Sequence, residues 1–222
     1  MAWKLVGFDT ETTGTDVNHD RIISAAVVTA QTKYTWLINP GVPIPEGASA
    51  VHGLTNEKVQ SEGAPAGPAL AEIAGVIATE MAESGVLVAY NAGYDVHILE
   101  AELARHGLKS LAQRLGGAVR PVLDPLVLDR KLDRYRKGKK KLENLIAVYG
   151  ITPSGNLHDA AVDTQMTLSL AHAMLQRYPE IAQTNPQDLH DLQVQWHAEW
   201  AENFEQFMRS RGNNVSIERK WI

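Results

Sequence analysis

The sequence predicts an α/β domain built on a mixed sheet and continued by a C-terminal helical extension. Three observations carry this expectation. Apolar and β-branched runs separated by turn-formers crowd the N-terminal part: LVGF at 5–8, RIISAAVVTA at 21–30 and KYTWLI at 33–38. A helical stripe, a short apolar run and a second helical stretch follow, an order that adds helices and a further strand to the opening meander. Beyond about residue 141 every pattern is helical.

Taken in order, the first three runs read as strands because β-branched and aromatic side chains suit a pleated, half-buried surface. Their short connections make the meander antiparallel. NPGVPIPEGA, residues 39–48, reads as a loop from its Pro and Gly content. Leu70, Ile73, Ala74, Ile77 and Met81 then recur on one helix face, predicting a helix over 66–83. VLVAY, residues 86–90, is short, apolar and flanked by Gly85, Asn91 and Gly93, which marks a buried strand. A helix from about Tyr94 to His106 follows it. Lys141 to Tyr149 forms a short helix stopped by Gly150 and Pro153, and the stripe Val162, Met166, Leu170, Met174 marks a longer one over 160–176. Asn185-Pro186 supplies a cap and a proline at the first helical position, opening a helix that runs to Gly212. Its stripe is Leu189, Leu192, Trp196, Trp200, Phe204 and Phe207. At about 1.5 Å per residue this helix is about 40 Å long, enough to cross the domain. The expected division is 1–180 for the domain and 181–222 for the extension, which packs on the domain or mediates association, as a dimer interface or a partner groove.

Composition narrows the chemistry. A chain of 222 residues with 44% hydrophobic content can bury a substantial core. Its net charge of -5 gives no global field that draws in a polyanion, so any such partner must be held locally. The absence of cysteine removes disulfides, thiolate metal sites and cysteine nucleophiles together. No signal layout opens the chain and no stretch reaches the roughly 18 apolar residues of a spanning helix, so a cytoplasmic protein without a membrane partner is expected.

FDTETTG, residues 8–14, places Asp9 and Glu11 two positions apart, and residues i and i+2 of a strand share a face. Two carboxylates so placed repel unless a cation lies between them, and a hard ion such as Mg2+ or Mn2+ prefers carboxylate oxygens. On this pattern alone, a solvated strand end with a turn is the favoured explanation of the pair. Two further acidic positions have matching settings. Asp95 follows the strand VLVAY in the first turn of a helix, where capping also suits a carboxylate. Asp163 lies in the opening turns of the next long helix, flanking its core face, while the adjacent Asp159 is its expected N-cap. His158 can share a site with Asp163 only from the loop before that helix, a loop that SGNLH permits, and an imidazole there can serve as general base. His19, His97, His106, His172, His190 and His197 read as surface or packing residues.

FDTETTG, VAYNAGYDVHILEAEL and LHDAAVDTQMT together resemble the three exonuclease motifs of the DEDDh superfamily, of the type found in the proofreading epsilon subunit of bacterial DNA polymerase III. The resemblance covers about residues 4–178, and the chain looks more like a stand-alone exonuclease of actinobacterial or phage type than a polymerase subunit. It implies a ribonuclease H-like fold with a central mixed five-stranded sheet, and removal of nucleotides from the 3' end of nucleic acid, with single-stranded DNA favoured. By the same resemblance, Asp9, Glu11, Asp95 and Asp163 hold two divalent cations, Mg2+ or Mn2+, and His158 is the base. VHGLT, residues 51–55, resembles the segment near the 3'-terminal nucleotide, which puts His52 and Leu54 in the substrate pocket beside Asn91. Tyr90 stands where the family commonly has histidine. Polymerase association is not implied, because the last helix matches no motif, and the chain is expected to be a monomer or a homodimer.

Charge then dictates the expected mechanism. Phosphodiester cleavage develops negative charge on the attacking and leaving oxygens, which two cations stabilise together. Asp9 would bridge them, Glu11 and Asp163 would complete one site, and Asp95 would act partly through water. Thr12, Thr13 and Gly14 are expected to hold the last sugar and base through backbone and hydroxyl groups. RKLDRYRKGKKK, residues 130–141, has eight Lys or Arg in twelve positions, and its Lys139, Lys140 and Lys141 are candidate phosphate contacts. A haloacid dehalogenase-type phosphatase would need two aspartates after its first strand, where this chain has Asp9 and Glu11. A non-catalytic nucleic-acid-binding module and an exoribonuclease are the remaining alternatives.

Overall fold

The computed structural model describes residues 3–153, 155 and 158–222. These form strands β1 (Lys4–Thr12), β2 (Ile22–Val28), β3 (Lys33–Asn39), β4 (Ala64–Pro65), β5 (Gly85–Val88) and β6 (Val122–Leu123). The helices are α1 (Glu46–His52), α2 (Asn56–Glu62), α3 (Ala66–Ala82), α4 (Ala92–Arg105), α5 (Leu111–Leu115), α6 (Pro125–Leu132), α7 (Leu142–Val148), α8 (Ala160–Arg177), α9 (Pro179–Gln183) and α10 (Pro186–Ser210). Of the loop expected over 154–158, residues 154, 156 and 157 lie outside the described residues.

The sheet runs β4-β3-β2-β1-β5-β6, antiparallel within the β1–β2–β3 meander and parallel at β1/β5, β5/β6 and β3/β4. It is mixed, as expected, and has six strands rather than five. The additional edge is the two-residue β4, where Ile38 and Asn39 pair with Ala64 and Pro65. Pairings this short leave no apolar alternation to read.

Two apolar layers cover the faces of the sheet. Val6 and Phe8 of β1 point toward α3 and α4, packing among Leu70, Ile73, Ile77 and Leu99. Leu5 points the other way, toward Met166, Leu170 and Met174 of α8. The predicted stripes of α3 and α8 are the ones that pack here. The region read as a loop over 39–48 folds into helix from Glu46 onward. Pro45 sets the turn into α1, and Gly53 ends it in the left-handed region at φ 74, donating to Ser49 O. Thr55 then caps α2 by accepting from Lys58 N.

α10 begins as expected, with the Asn185 side chain accepting from Gln187 N and Pro186 next. Its first half closes the β6 edge: Leu189 is buried, Gln193 Nε2 donates to Val122 O at 2.9 Å, and Asp124 N donates to Gln193 Oε1 at 2.8 Å. The chain beyond α10 turns back along it. Ile217 N donates to Glu205 Oε1, Glu218 O meets His197, and Trp221 enters the core at 3% exposure, beside His190. His190 is thus a packing residue, its Nδ1 accepting from Val122 N. Among the described residues no helix is long and apolar enough to cross a membrane.

Candidate active site

β1 carries Asp9 and Glu11 through to its C-terminal end, paired with Ala26 and Ser24 of β2. The two carboxylates therefore share a face, the one covered by α8. What lets α8 approach is the smallness of the surface beneath it. A Cβ on Gly7 would lie 2.5 Å from Thr164 Cγ2 and 2.9 Å from Leu168. Two positions further along, opposite Asp9, Ala26 packs directly on Ala160 and Ala161. With small residues on both sides, the first turn of α8 seats against the sheet and brings Asp163 to Asp9 and Glu11.

Asp9, Glu11 and Asp163 each present a carboxylate oxygen within 4.8 Å of the other two. Removal from water pushes all three toward the protonated form. Glu11 rises to about 8, from burial first and then from the charges of Asp163 and Asp95. Asp9 rises well above the ordinary carboxylate range, from burial and then from Asp95, Glu11 and Asp163. Asp163 is also raised by burial, although His158 N donates to its Oδ2 at 3.2 Å. Its Oδ1 is buried with no hydrogen-bond partner. The charges acting most strongly on Asp9 and Glu11 are all carboxylates. A cluster of hard oxygen donors, mutually repelling and with one buried oxygen unsatisfied, fits a divalent cation.

Asp95 is placed in the first turn of α4, as the sequence indicates, and is 4% exposed. Its Oδ1 accepts from Thr10 Oγ1 at 2.7 Å, and among the neighbouring charges it bears most strongly on Asp9. Burial raises it to about 7, the Thr10 bond opposing the rise. The turn that delivers it, Asn91-Ala92, is tied down by a residue that the sequence analysis missed. Asp124, 1% exposed, accepts from Asn91 N and Ala92 N at 3.0 Å each, caps α6 through Leu126 N, and accepts from Trp221 Nε1 at 3.4 Å. The signal was available, since Asp124-Pro125 repeats the cap-then-proline pattern of Asn185-Pro186. Asn91 holds this turn in the left-handed region at φ 62 and exposes its side chain.

His158 precedes α8, in the left-handed region at φ 70, and is exposed beside Asp163 in a small cleft walled by Lys141, Leu142 and Glu143. Asp159 is the N-cap, accepting from Ala161 N and Val162 N. His52 lies close enough that His158 adds to the lowering of its pKa, after burial. Its Nδ1 accepts from Leu54 N, which leaves Nε2 as the protonated nitrogen, buried and without a partner. Leu54 itself packs among Ile23, Ile44 and Val59.

Three of the expected substrate contacts also have partners within the protein. The Thr13 hydroxyl is buried and donates to Asp20 Oδ1, and that of Thr12 bonds Gly14 O and Tyr94 OH. The Thr12 and Tyr94 hydroxyls thus gather around Gly14 O and share their two protons among these contacts, building the turn. Lys140 is drawn to the fully buried Asp129, alongside Arg136 at 2.7 Å, so its charge is spent internally. Lys139 and Lys141 are exposed. Tyr90 donates to Lys140 O at 2.6 Å and so fastens the basic loop beside the site.

The RNase_T exonuclease family model matches residues 6–171. The chain belongs to the RNase_T exonuclease family. An uncharacterized exonuclease of Escherichia phage 186 is 31% identical over 180 residues, covering 75% of this chain and 85% of that protein. DNA polymerase III subunit epsilon of Treponema pallidum is 28% identical over 174 residues, covering 76% of this chain and 74% of that protein. An epsilon-like protein of Rhodobacter capsulatus is 35% identical over 185 residues, and this chain spans 24% of it. Among solved structures, E. coli Exonuclease I in complex with a dT13 oligonucleotide matches with a TM-score of 0.67 at 19% identity, over 81% of this chain and 42% of that one. At such identity the likeness shows the fold, the ribonuclease H-like arrangement of the RNase_T exonucleases. This chain spans less than half the length of that Exonuclease I chain. RNase_T exonucleases depend on divalent metal, and here Asp9, Glu11 and Asp163 can hold it.

Proposed function

We propose that this chain is a divalent-metal-dependent 3'-5' exonuclease that removes nucleoside 5'-monophosphates from single-stranded DNA. The observation that carries the proposal is the meeting of Asp9, Glu11 and Asp163 within 4.8 Å, with Asp163 Oδ1 buried and unsatisfied. Asp9, Glu11, Asp95 and Asp163 would hold two cations, Mg2+ or Mn2+, whose charge stabilises the attacking and leaving oxygens of the phosphodiester. His158, exposed at the mouth of the cleft, takes the proton of the attacking water. His52, with Nε2–H unsatisfied, donates to the terminal nucleotide, and the exposed Lys141 meets the phosphate beyond it. The 3' direction and the choice of DNA are supported by the epsilon subunit of Treponema pallidum among the relatives and by the oligonucleotide bound to Exonuclease I.

The test is digestion of matched DNA and RNA oligonucleotides, single- and double-stranded and labelled at the 5' end, with Mg2+ or Mn2+. A ladder shrinking from the 3' end, with monophosphates released, is the expected result, most rapid on single-stranded DNA and abolished by Asp9→Asn. Immediate release of the label, or full activity in EDTA, would sink the assignment. Faster loss of the RNA strand would replace DNA with RNA as the substrate.

A further inference from the structure

Away from the carboxylates, the basic run and the last helix enclose a second feature. α6, the loop after it and the second half of α10 line an open groove of about 630 Å3. Its floor is aromatic. Trp200, Phe204 and Phe207 follow one another along α10, with ring centroids 5.5 and 6.4 Å apart. Phe207 is 49% exposed, and Tyr135 on the facing loop is 89% exposed. Its rim is cationic. Arg130 stacks over the Trp200 ring at 3.4 Å, Arg134 lies 5.8 Å from the Tyr135 ring centroid, and Lys131 lines the groove, paired with Glu199. A chain of net charge -5 thus concentrates positive charge around its most exposed aromatic rings.

We propose that this groove binds the single strand of nucleic acid upstream of the end being cleaved. The proposal rests on the exonuclease reading and extends it to a second contact. Continuity with the candidate active site comes from one loop. Tyr90, at the end of the strand before the Asp95 helix, donates to Lys140 O. Lys140 lines the groove, and the next residue, Lys141, lines the cleft of His158 and Asp163. The cleft and the groove thus border one another at Lys140 and Lys141, where a strand whose 3' end reaches the carboxylates would pass from one to the other. The chemistry selects the occupant. Flat exposed rings offer stacking platforms to bases, and the cations beside them meet phosphates. A second copy of this chain would oppose the cationic rim with another like it, and an apolar peptide would leave the rim without partners.

Fluorescence anisotropy of labelled oligothymidylates in EDTA reads strand binding apart from hydrolysis. The variant to compare is Arg134→Glu/Tyr135→Ala/Phe207→Ser, whose side chains are solvent-facing. Binding of a long strand is expected to weaken by about tenfold or more, as for loss of a base stack, and its salt dependence to flatten. The loss should be confined to long strands and vanish for a dinucleotide that cannot reach the groove. Equal affinity of wild type and variant for the long strand overturns the proposal, as does a loss equal at every length. A wild-type dimer in light scattering that the variant dissociates would assign the groove to self-association instead. Should the wild type bind the long strand in this manner but fail to cleave it with Mn2+, the exonuclease reading fails and the groove stands.

Discussion

Glu11 offers a direct test of the carboxylate cluster. Its proton affinity in the folded chain corresponds to about 8, against an ordinary value of 4.5. A carboxyl that holds its proton more tightly folded than unfolded makes stability fall as pH rises. The contribution is fully present below about 4.5, is lost between 4.5 and about 8, and stays lost above that. Asp95, raised to about 7, and Asp9, raised by burial and its carboxylate neighbours, act in the same direction. At about 1.4 kcal/mol per tenfold change, the Glu11 shift corresponds to at most about 5 kcal/mol. Glu11 keeps some contact with water and its shift is shared with its neighbours, which reduces the realistic figure to the order of 2 kcal/mol. For a chain of this length that is a fall of about 4–8 °C in Tm. The assay is thermal denaturation in EDTA at pH 5 and pH 8, repeated with Mn2+. Wild type should lose about that much more than Glu11→Gln on going to pH 8, and Mn2+ should restore it at pH 8 while adding little at pH 5. The comparison with Glu11→Gln cancels the titration of the histidines. Equal pH slopes in the two proteins, or an equal Mn2+ increment in both, would refute the reasoning.

Three further outcomes are expected. Gly7→Ala places a methyl against Thr164 and Leu168, so α8 must shift. Overpacking should cost about 1–3 kcal/mol, and Mn2+ stabilisation should weaken along with Tm. Trp221→Ala empties a core position at 3% exposure and removes a donor to Asp124. Urea denaturation should show a loss of about 3–5 kcal/mol, and a fall in hydrolysis beyond the unfolded fraction would report the loosened Asn91-Ala92 turn. Lys140→Ala and Lys141→Ala should separate structure from binding. The first leaves buried Asp129 short of a partner and should cost about 1–3 kcal/mol, read in urea. The second should change stability by less than about 0.5 kcal/mol yet lower the salt slope of DNA binding by about one.

Much of this molecule is legible without its structure. The alternation of β1 through Glu11, the stripes of α3 and α8, and the caps at Asp159 and Asn185 are local signals, each set by geometry that repeats within a few residues. The motif residues Asp9, Glu11, Asp95, His158 and Asp163 stand out as a set through the resemblance of three separate stretches to the family's motifs. The two-residue strands β4 and β6 had no such signal, because a pairing that short is defined by its neighbour. α1 was hidden by the prolines before it, which read as a loop even though Gly53 marks where the helix stops.

The sequence by itself determined which residues could do chemistry and on which element each would sit, because strand and helix periodicities and caps are encoded locally. Only the tertiary structure decided which of them meet. It spent Lys140 on Asp129, turned Thr12 and Thr13 to building a bend, and used Asp124 and Trp221 to hold the turn before Asp95. Those outcomes depend on residues far apart in sequence competing for the same partners, and on Gly7 being small enough for α8 to settle beside β1.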